Sequence, residues 1–414
     1  MLEHLHLKEL QEKGISGNII KDNPTNKIKK KLLIATDSFL PRWDGITRFL
    51  TEIIPRLKDN YEITVIAPEF PGELKWAEIE HIKFIRFPIL NFNFGDINFS
   101  WFHYSKIKKI VEEQDIVFSQ TIGPIGICAI KSAKKLKKPV ICYIHSIEWE
   151  LATRSIDSLK LLINLAMKSL VKHYYNKVDL LLVPSMEVGE LYKRNGIAPP
   201  YKIVHLGTDT NKFVPAKDEE YKNRIREALG ITQLNSEQKL NSNQIIIGFS
   251  GRIGREKNLV TLYRAFRKIE KKYENIKLLI IGKGVKDLEE MFTSQRNIIM
   301  PGAVNNVVPY LQAMDIFVLP SLTETSSLAT MEAMSCGIPI VTTPVGYVKD
   351  YIKEKENGLF FPFKNSLVLS MKLEILIKDK ELREKLGRNA RKTIIERFSW
   401  ENTVGKIKEN LSKF

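Results

Sequence analysis

Between Lys31 and Thr342 the sequence alternates short runs of branched aliphatic residues with longer stretches in which apolar residues return every three or four positions. The first runs are Leu32–Ala35, Ile63–Ala67, Ile116–Phe118, Val140–Ile144, Leu180–Val183 and Ile203–Val204, and helix-like stretches such as Ile46–Leu57, Leu159–Asn176 and Glu187–Arg194 lie between them. A continuous β-branched run bounded by turn residues suits a strand covered on both faces. Alternation of such runs with helices implies a parallel α/β sheet. A second series follows a polar, low-complexity stretch at Gln233–Asn243: Ile245–Phe249, Lys277–Ile281, Ile298–Met300, Ile316–Leu319 and Ile338–Thr342. The fold class expected is therefore α/β, with two consecutive doubly wound, Rossmann-like parallel sheets meeting near Gly207–Lys212. A chain of 414 residues is past the size at which one core keeps growing, which also calls for two domains. Residues 1–30 carry no sustained period and read as an appendage.

The open end of a doubly wound sheet, at the carboxyl ends of its strands, offers free helix N–H groups to ligands, so the cleft between two such sheets is the expected site. Three widely spaced cysteines, Cys128, Cys142 and Cys336, build neither a disulfide framework nor a metal-ligand pattern, and a reducing compartment is expected. No stretch of about 18 apolar residues occurs and the polar N-terminus lacks a signal-peptide core, so a cytoplasmic protein is expected. The net charge of +16 admits nucleic acid, an anionic membrane face or phosphorylated ligands as partners. Lysines spread through the chain without arginine–aromatic blocks, which speaks against nucleic acid.

Three segments carry chemistry. The first, Leu33 to Thr47, is a strand, a loop and a helix starting near Gly45, where a phosphate can approach the backbone and face the first helical amides; the same pattern also occurs as an ordinary loop. In the second, Gly251-Arg252-Ile253-Gly254-Arg255-Glu256-Lys257, Arg252 and Lys257 stand five apart where a helix begins, an arrangement that places a fork and a point charge on a diphosphate. Neither this loop nor Gly282-Lys283-Gly284 completes a G-x-G-x-x-G fingerprint, so a nicotinamide oxidoreductase is poorly supported. In the third, Pro320 to Pro339, Glu324 follows a strand, Ser326 or Ser327 is placed to cap the next helix, and Glu332 stands more than one turn inside it. There a carboxylate can accept both hydrogen bonds of a ribose diol; taken alone, the pair reads first as two solvated glutamates around a helix start.

Together these segments resemble the GT-B-fold retaining glycosyltransferases of family 4 (glycosyl transferases group 1). The marks are the Glu-x7-Glu pair Glu324 and Glu332, Gly251-Arg252 with Lys257, Pro320-Ser321, Glu332-Ala333-Met334 leading to Cys336-Gly337-Ile338-Pro339, Leu206-Gly207-Thr208-Asp209 with Phe213, Asn357-Gly358-Leu359 and Phe398-Ser399-Trp400. The resemblance runs from about Lys31 to the C-terminus. It implies an acceptor-binding domain over 31–207, a nucleotide-sugar-binding domain over 208–397 and, over 398–414, a helix crossing back to the first domain.

By position, the resemblance assigns Arg252 and Lys257 to the donor diphosphate, Glu332 to the ribose hydroxyls and Glu324 to the donor sugar near its reacting carbon. His145, at a strand end, stands beside that sugar; Gly45, Ser327 and Leu328 line the donor. Two departures are visible. Asp44-Gly45 stands where the family often has two glycines, and Thr325-Ser326-Ser327-Leu328 where it commonly has Gly-Phe-Gly-Leu. The implied reaction moves a hexose with retention from a nucleotide diphosphate sugar to an acceptor hydroxyl, by positioning and electrostatic stabilisation of the leaving group. No cofactor is expected beyond that co-substrate, and with no Asp-x-Asp motif no metal. The helix Leu159–Lys172, with Lys160, Lys168 and Lys172 near one face, is suited either to an anionic bilayer surface or to a core position with lysines outward. The former favours a lipid or lipid-linked glycan acceptor and peripheral attachment to the inner membrane face. A GT-B nucleotide-sugar epimerase and a non-catalytic nucleotide-sugar-binding protein are the alternatives.

Overall fold

The computed structural model describes residues 29–42, 44–72, 82–94, 97–154, 160–231, 244–293, 295–324 and 326–414. Most of the expected N-terminal appendage and the polar stretch Gln233–Asn243 lie outside the described residues.

The first sheet contains β1 (Lys30–Ala35), β2 (Tyr61–Glu69), β3 (Ile82–Phe94), β4 (Ile97–Ser100), β5 (Ile116–Ser119), β6 (Val140–Tyr143), β7 (Leu180–Val183) and β8 (Tyr201–Ile203) in the order β4-β3-β2-β1-β5-β6-β7-β8. The second contains β9 (Ile245–Ser250), β10 (Ile276–Ile281), β11 (Ile298–Gly302), β12 (Ile316–Leu319), β13 (Ile340–Thr342) and β14 (Gly358–Phe360) in the order β11-β10-β9-β12-β13-β14. Every pairing is parallel except β3 with β4. Two doubly wound parallel sheets are thus the architecture, as the apolar runs imply. All four residues of β5, β6, β7 and β12 are buried, the signature of strands covered by helices on both faces.

Strands β3, β4 and β14 have no counterpart among the runs read from sequence. β3 is broken in pattern by Arg86, Pro88 and the asparagines that follow. Arg86 is held because its guanidinium donates to the carbonyls of Pro68 at 2.8 Å and Leu40 at 2.6 Å. Beside the edge strand β4, to which it pairs antiparallel, β3 can carry polar residues that a central strand would exclude.

Five helices position the site: α1 (Gly45–Leu57), α2 (Pro124–Lys135), α3 (Lys160–Tyr175), α4 (Leu328–Ser335) and α5 (Trp400–Leu411). In α1 the buried residues Phe49, Leu50, Ile53, Ile54 and Leu57 follow helical spacing, and Asp44 caps it, Oδ1 accepting from the Thr47 N–H at 2.9 Å. Helix α5 comes from the far end of the chain yet belongs to the first domain's core. Trp400, Val404, Ile407 and Leu411 are buried with Leu32, Ile34, Phe49 and Phe118. The chain crosses where the Thr208 N–H donates to Phe398 O at 2.8 Å and the Trp400 N–H to Thr208 O at 3.2 Å. A side chain at Gly207 would place its Cβ 2.6 Å from Trp400 N, so the crossing requires glycine there.

Candidate functional site

In the second sheet the chain turns one way after β9 and the other way after β12, two adjacent strands. Their carboxyl-terminal loops therefore flank a topological switch point, where doubly wound sheets bind ligands. The β9 loop begins at Gly251, with φ +149°. It is laced to the β10 end by the Gly251 N–H to Ile281 O and the Ile253 N–H to Lys283 O, both at 3.0 Å. A Cβ on Gly282 would lie 1.9 Å from Gly251 O, so the glycines of Gly282-Lys283-Gly284 serve this close approach. A 3-10 turn, Arg255–Lys257, then ends at Asn258 in the left-handed region, φ +51°. The Asn258 side-chain amide donates to Pro320 O at 3.3 Å, and the Leu322 N–H donates to Glu256 O at 2.8 Å. These bonds fasten the β9 loop to the β12 loop.

The result is a direct pair: Lys257 Nζ lies 2.5 Å from Glu324 Oε1, with the Ser321 hydroxyl donating to the same oxygen at 2.8 Å. The Lys257 side chain is 19% exposed and that of Glu324 8%. Gly346, with φ +47°, has no room for a side chain because its Cβ would meet Glu324 O at 1.9 Å. Arg252 is not part of this contact: its side chain is largely exposed and binds Glu256 at 2.7 Å.

Glu332 is buried in α4. Its partner comes from the other domain: Arg48 Nη2, one turn into α1, forms an ion pair with Glu332 Oε1. Ser327 occupies the helix-cap position without capping any N–H, because its hydroxyl bonds to Thr330 Oγ1 at 2.8 Å. This differs from the capping role read from sequence; the nearby threonine hydroxyl takes the bond instead. Leu328 packs against the second domain's core. Among the described residues Ser326 Oγ is buried with no hydrogen-bond partner, an arrangement that costs about 1–3 kcal/mol unless a ligand completes it.

On the first domain's side, Gly45 is exposed and a Cβ there would meet nothing within 4 Å. His145 lies two residues beyond β6, between Phe49 and Tyr143 with ring centroids 4.9 and 4.7 Å away, and its Nε2 is 3.0 Å from Gln120 Oε1. Burial pushes the imidazole down to about 3, so it is neutral at ordinary pH. Behind it, Glu148 accepts hydrogen bonds from Tyr175 OH at 2.6 Å and from Tyr192 OH, and Tyr192 OH also reaches Ser146 O at 3.0 Å. Burial raises the Glu148 carboxyl above its usual range. The N-terminus of α2 is filled by the chain's own Asp37, which accepts from the Ile125 and Gly126 N–H groups at 2.8 and 3.1 Å and from Thr121 Oγ1 at 2.5 Å.

The structure thus joins Lys257 to Glu324, brings Glu332 to the cleft through Arg48, and sets His145 against α1, while Arg252 turns to Glu256. Sequence reading did not single out Arg48 or Gln120, and it named Ser321 only as a mark of the resemblance, without a role. For Arg48 the one local signal is a cation three residues beyond Gly45 on an otherwise apolar stretch of helix.

Two family models tile the chain. The model for glycosyl transferases group 1 matches residues 231–393, and that for glycosyltransferase family 4 matches residues 43–212. The chain belongs to the family 4, group 1 glycosyltransferases. Sugar transfer is its chemistry. Among curated relatives it is similar to the alpha-monoglucosyldiacylglycerol synthase of Streptococcus pneumoniae, 25% identical over 84% of this chain and 79% of that protein. It is also similar to the sulfoquinovosyl transferase SQD2 of Arabidopsis thaliana, 28% identical over 71% of this chain and 56% of that one. Among solved structures, Anabaena HepE in complex with UDP and glucose superposes with a TM-score of 0.72 over 93% of this chain and all of that one, at 18% identity. That likeness gives the GT-B fold to this glycosyltransferase.

Proposed function

We propose that this glycosyltransferase moves a hexose, with retention of anomeric configuration, from a nucleoside diphosphate sugar to a hydroxyl of a membrane lipid or lipid-linked glycan. Residues 31–207 hold the acceptor and 208–397 the donor. The observation that carries this reading is the Lys257–Glu324 pair at the β9/β12 switch point. A cation and a carboxylate held within one hydrogen bond suit a substrate whose diphosphate and sugar hydroxyls meet at the reacting carbon.

In this reading Lys257 and the exposed Arg252 take the diphosphate, Glu332 accepts from the ribose diol, and Glu324 accepts from a sugar hydroxyl. Ser327 and Leu328 form the floor of the donor pocket, and the open space at Gly45 admits the phosphates. The neutral imidazole of His145 exchanges a hydrogen bond with the sugar rather than delivering charge. The bond from the anomeric carbon to the diphosphate oxygen breaks with its electron pair leaving on phosphate. The acceptor oxygen bonds to the same face of that carbon, and its proton passes to the departing phosphate oxygen. Preorganised cations at the leaving group lower the barrier without reorganising when the charge develops.

Support for a lipid-phase acceptor comes from α3. Leu161, Leu162 and Leu165 are exposed by 76, 62 and 57%, while Val171 and Tyr175 are buried in the core. Of the lysines read on this helix, Lys168 lies over the Trp149 ring at 5.6 Å, and the side chain of Lys160 lies outside the described residues. Leucines outward, with a strongly cationic chain behind them, suit an anionic bilayer surface better than water. Peripheral attachment at the inner membrane face follows; among the described residues no helix is long and apolar enough to cross a membrane. Of the two curated relatives named above, one is by name a synthase of alpha-monoglucosyldiacylglycerol and the other a sulfoquinovosyl transferase, and HepE was solved with UDP and glucose.

The test is a panel of labelled nucleotide sugars incubated with a cell lipid extract. Label appearing in an organic-phase glycoside is the expected result. Interconversion of the nucleotide sugars without any glycoside would sink transfer in favour of an epimerase.

A further inference from the structure

We propose that Arg48 is a donor-binding residue contributed by the first domain: its guanidinium, paired with Glu332, passes to the donor diphosphate when the ribose takes that carboxylate. The inference rests on the function proposed above and adds to it a side chain from the opposite lobe.

The charges of the cleft motivate it. Lys257 is neutralised by Glu324 and Arg252 by Glu256, each within the second domain. Glu332, its side chain only 6% exposed, is neutralised by a residue 284 positions away that must reach across the cleft. A ribose diol brings hydrogen bonds but no charge, so once it occupies Glu332 the guanidinium is left in the cleft beside the two negative charges of the diphosphate. An arginine fork matches phosphate oxygens two at a time. The Arg48 side chain is 27% exposed, enough to swing on its aliphatic stem.

The second observation concerns the N-terminus of α1. Helix starts attract phosphate through free amides. Here the Thr47 N–H is already taken by the Asp44 carboxylate, which also accepts from the Ser38 hydroxyl. The Asp44 carboxylate is itself ion-paired with Arg42 at 3.6 Å, so this end offers a phosphate one amide fewer. Arg48, one turn along the same helix, supplies a charged donor in place of that amide. Gly45, exposed and unobstructed, leaves the approach to it open.

Isothermal titration of the full chain with a nucleoside, its monophosphate and its diphosphate tests this, using the best-bound base of uridine, guanosine, adenosine and thymidine. Arg48→Gln keeps a donor for Glu332 but loses the charge. It is expected to weaken the diphosphate about 10- to 100-fold, to change the free nucleoside less than about threefold, and to raise the donor KM. Arg48→Lys, which keeps the charge and guards against a folding failure, is expected to recover part of the loss. If Arg48→Gln binds the diphosphate as tightly as the parent, or binds nucleoside and diphosphate tighter by one common factor, Arg48 only blocks Glu332 and the inference is wrong. A parent chain that binds none of the diphosphates overturns the proposed function itself, and this inference with it.

Discussion

Replacing Lys257 with alanine separates the catalytic from the structural meaning of the cleft. The substitution leaves Glu324, 8% exposed, without its cation while the Ser321 hydroxyl still donates to it. Removing one partner of a fully buried pair costs about 3–5 kcal/mol. With Lys257 itself 19% exposed and one hydrogen bond surviving, about 1–3 kcal/mol is expected here, below the ~5–15 kcal/mol that holds a typical domain together. The fold should persist with a lowered Tm. Turnover should fall far more, about 10²- to 10³-fold, the loss that follows removal of one preorganised group from a developing negative charge. Adding Glu324→Gln removes the stranded carboxylate, so the double variant should regain thermal stability without regaining turnover. Thermal melting and release of nucleoside diphosphate read the two effects independently. If the single variant turns over within about threefold of the parent, or if the double variant recovers activity, the lysine acts only as a counter-ion for Glu324 and the proposed leaving-group role is lost.

Three further outcomes follow from the geometry. His145, held down at about 3 from an ordinary 6.5, stays neutral while the unfolded chain takes a proton, so its stability contribution is full above pH 6.5 and is lost as pH falls toward 3. His145→Asn should therefore flatten the decline of Tm between pH 6.5 and 5, a comparison that cancels the opposing buried carboxyls of Asp37 and Glu148; equal slopes in both proteins refute the assignment. Gly207→Ala drives a Cβ to 2.6 Å from Trp400 N and should cost about 1–3 kcal/mol by overpacking, with an unchanged Tm as the contrary result. Leu161→Glu with Leu165→Glu, at positions 76 and 57% exposed, should leave stability within about 0.5 kcal/mol yet abolish flotation with anionic vesicles; persistent flotation excludes α3 as the docking element.

Much of the architecture was written in local pattern. Leu32–Ala35, Ile245–Phe249 and Ile316–Leu319 became central strands because a run of branched aliphatics has one stable place, between two layers of helix. Glu324, Glu332, Lys257 and the glycines around them were legible for a related reason: loops after strands and the first turns of helices have fixed positions relative to the sheet, so spacing along the chain translates into position in the cleft. Strands at and beside the sheet margins escaped this logic in part: β8 and β11 were legible, but β14 is only three residues long, and Arg86 and Pro88 blur the period of β3.

Neighbours a few residues away settle which segments become strands and helices and which loops stand at the open ends of the two sheets. Long-range partners are settled only when the whole chain has folded. Arg48 reaches Glu332 across 284 positions, the Ser327 hydroxyl turns to Thr330 instead of the helix amides, and the leucines of α3 point outward although a helix so apolar reads equally as buried. Such pairings depend on the path of the whole chain and on which surface remains uncovered once both cores have closed, and no local period encodes either.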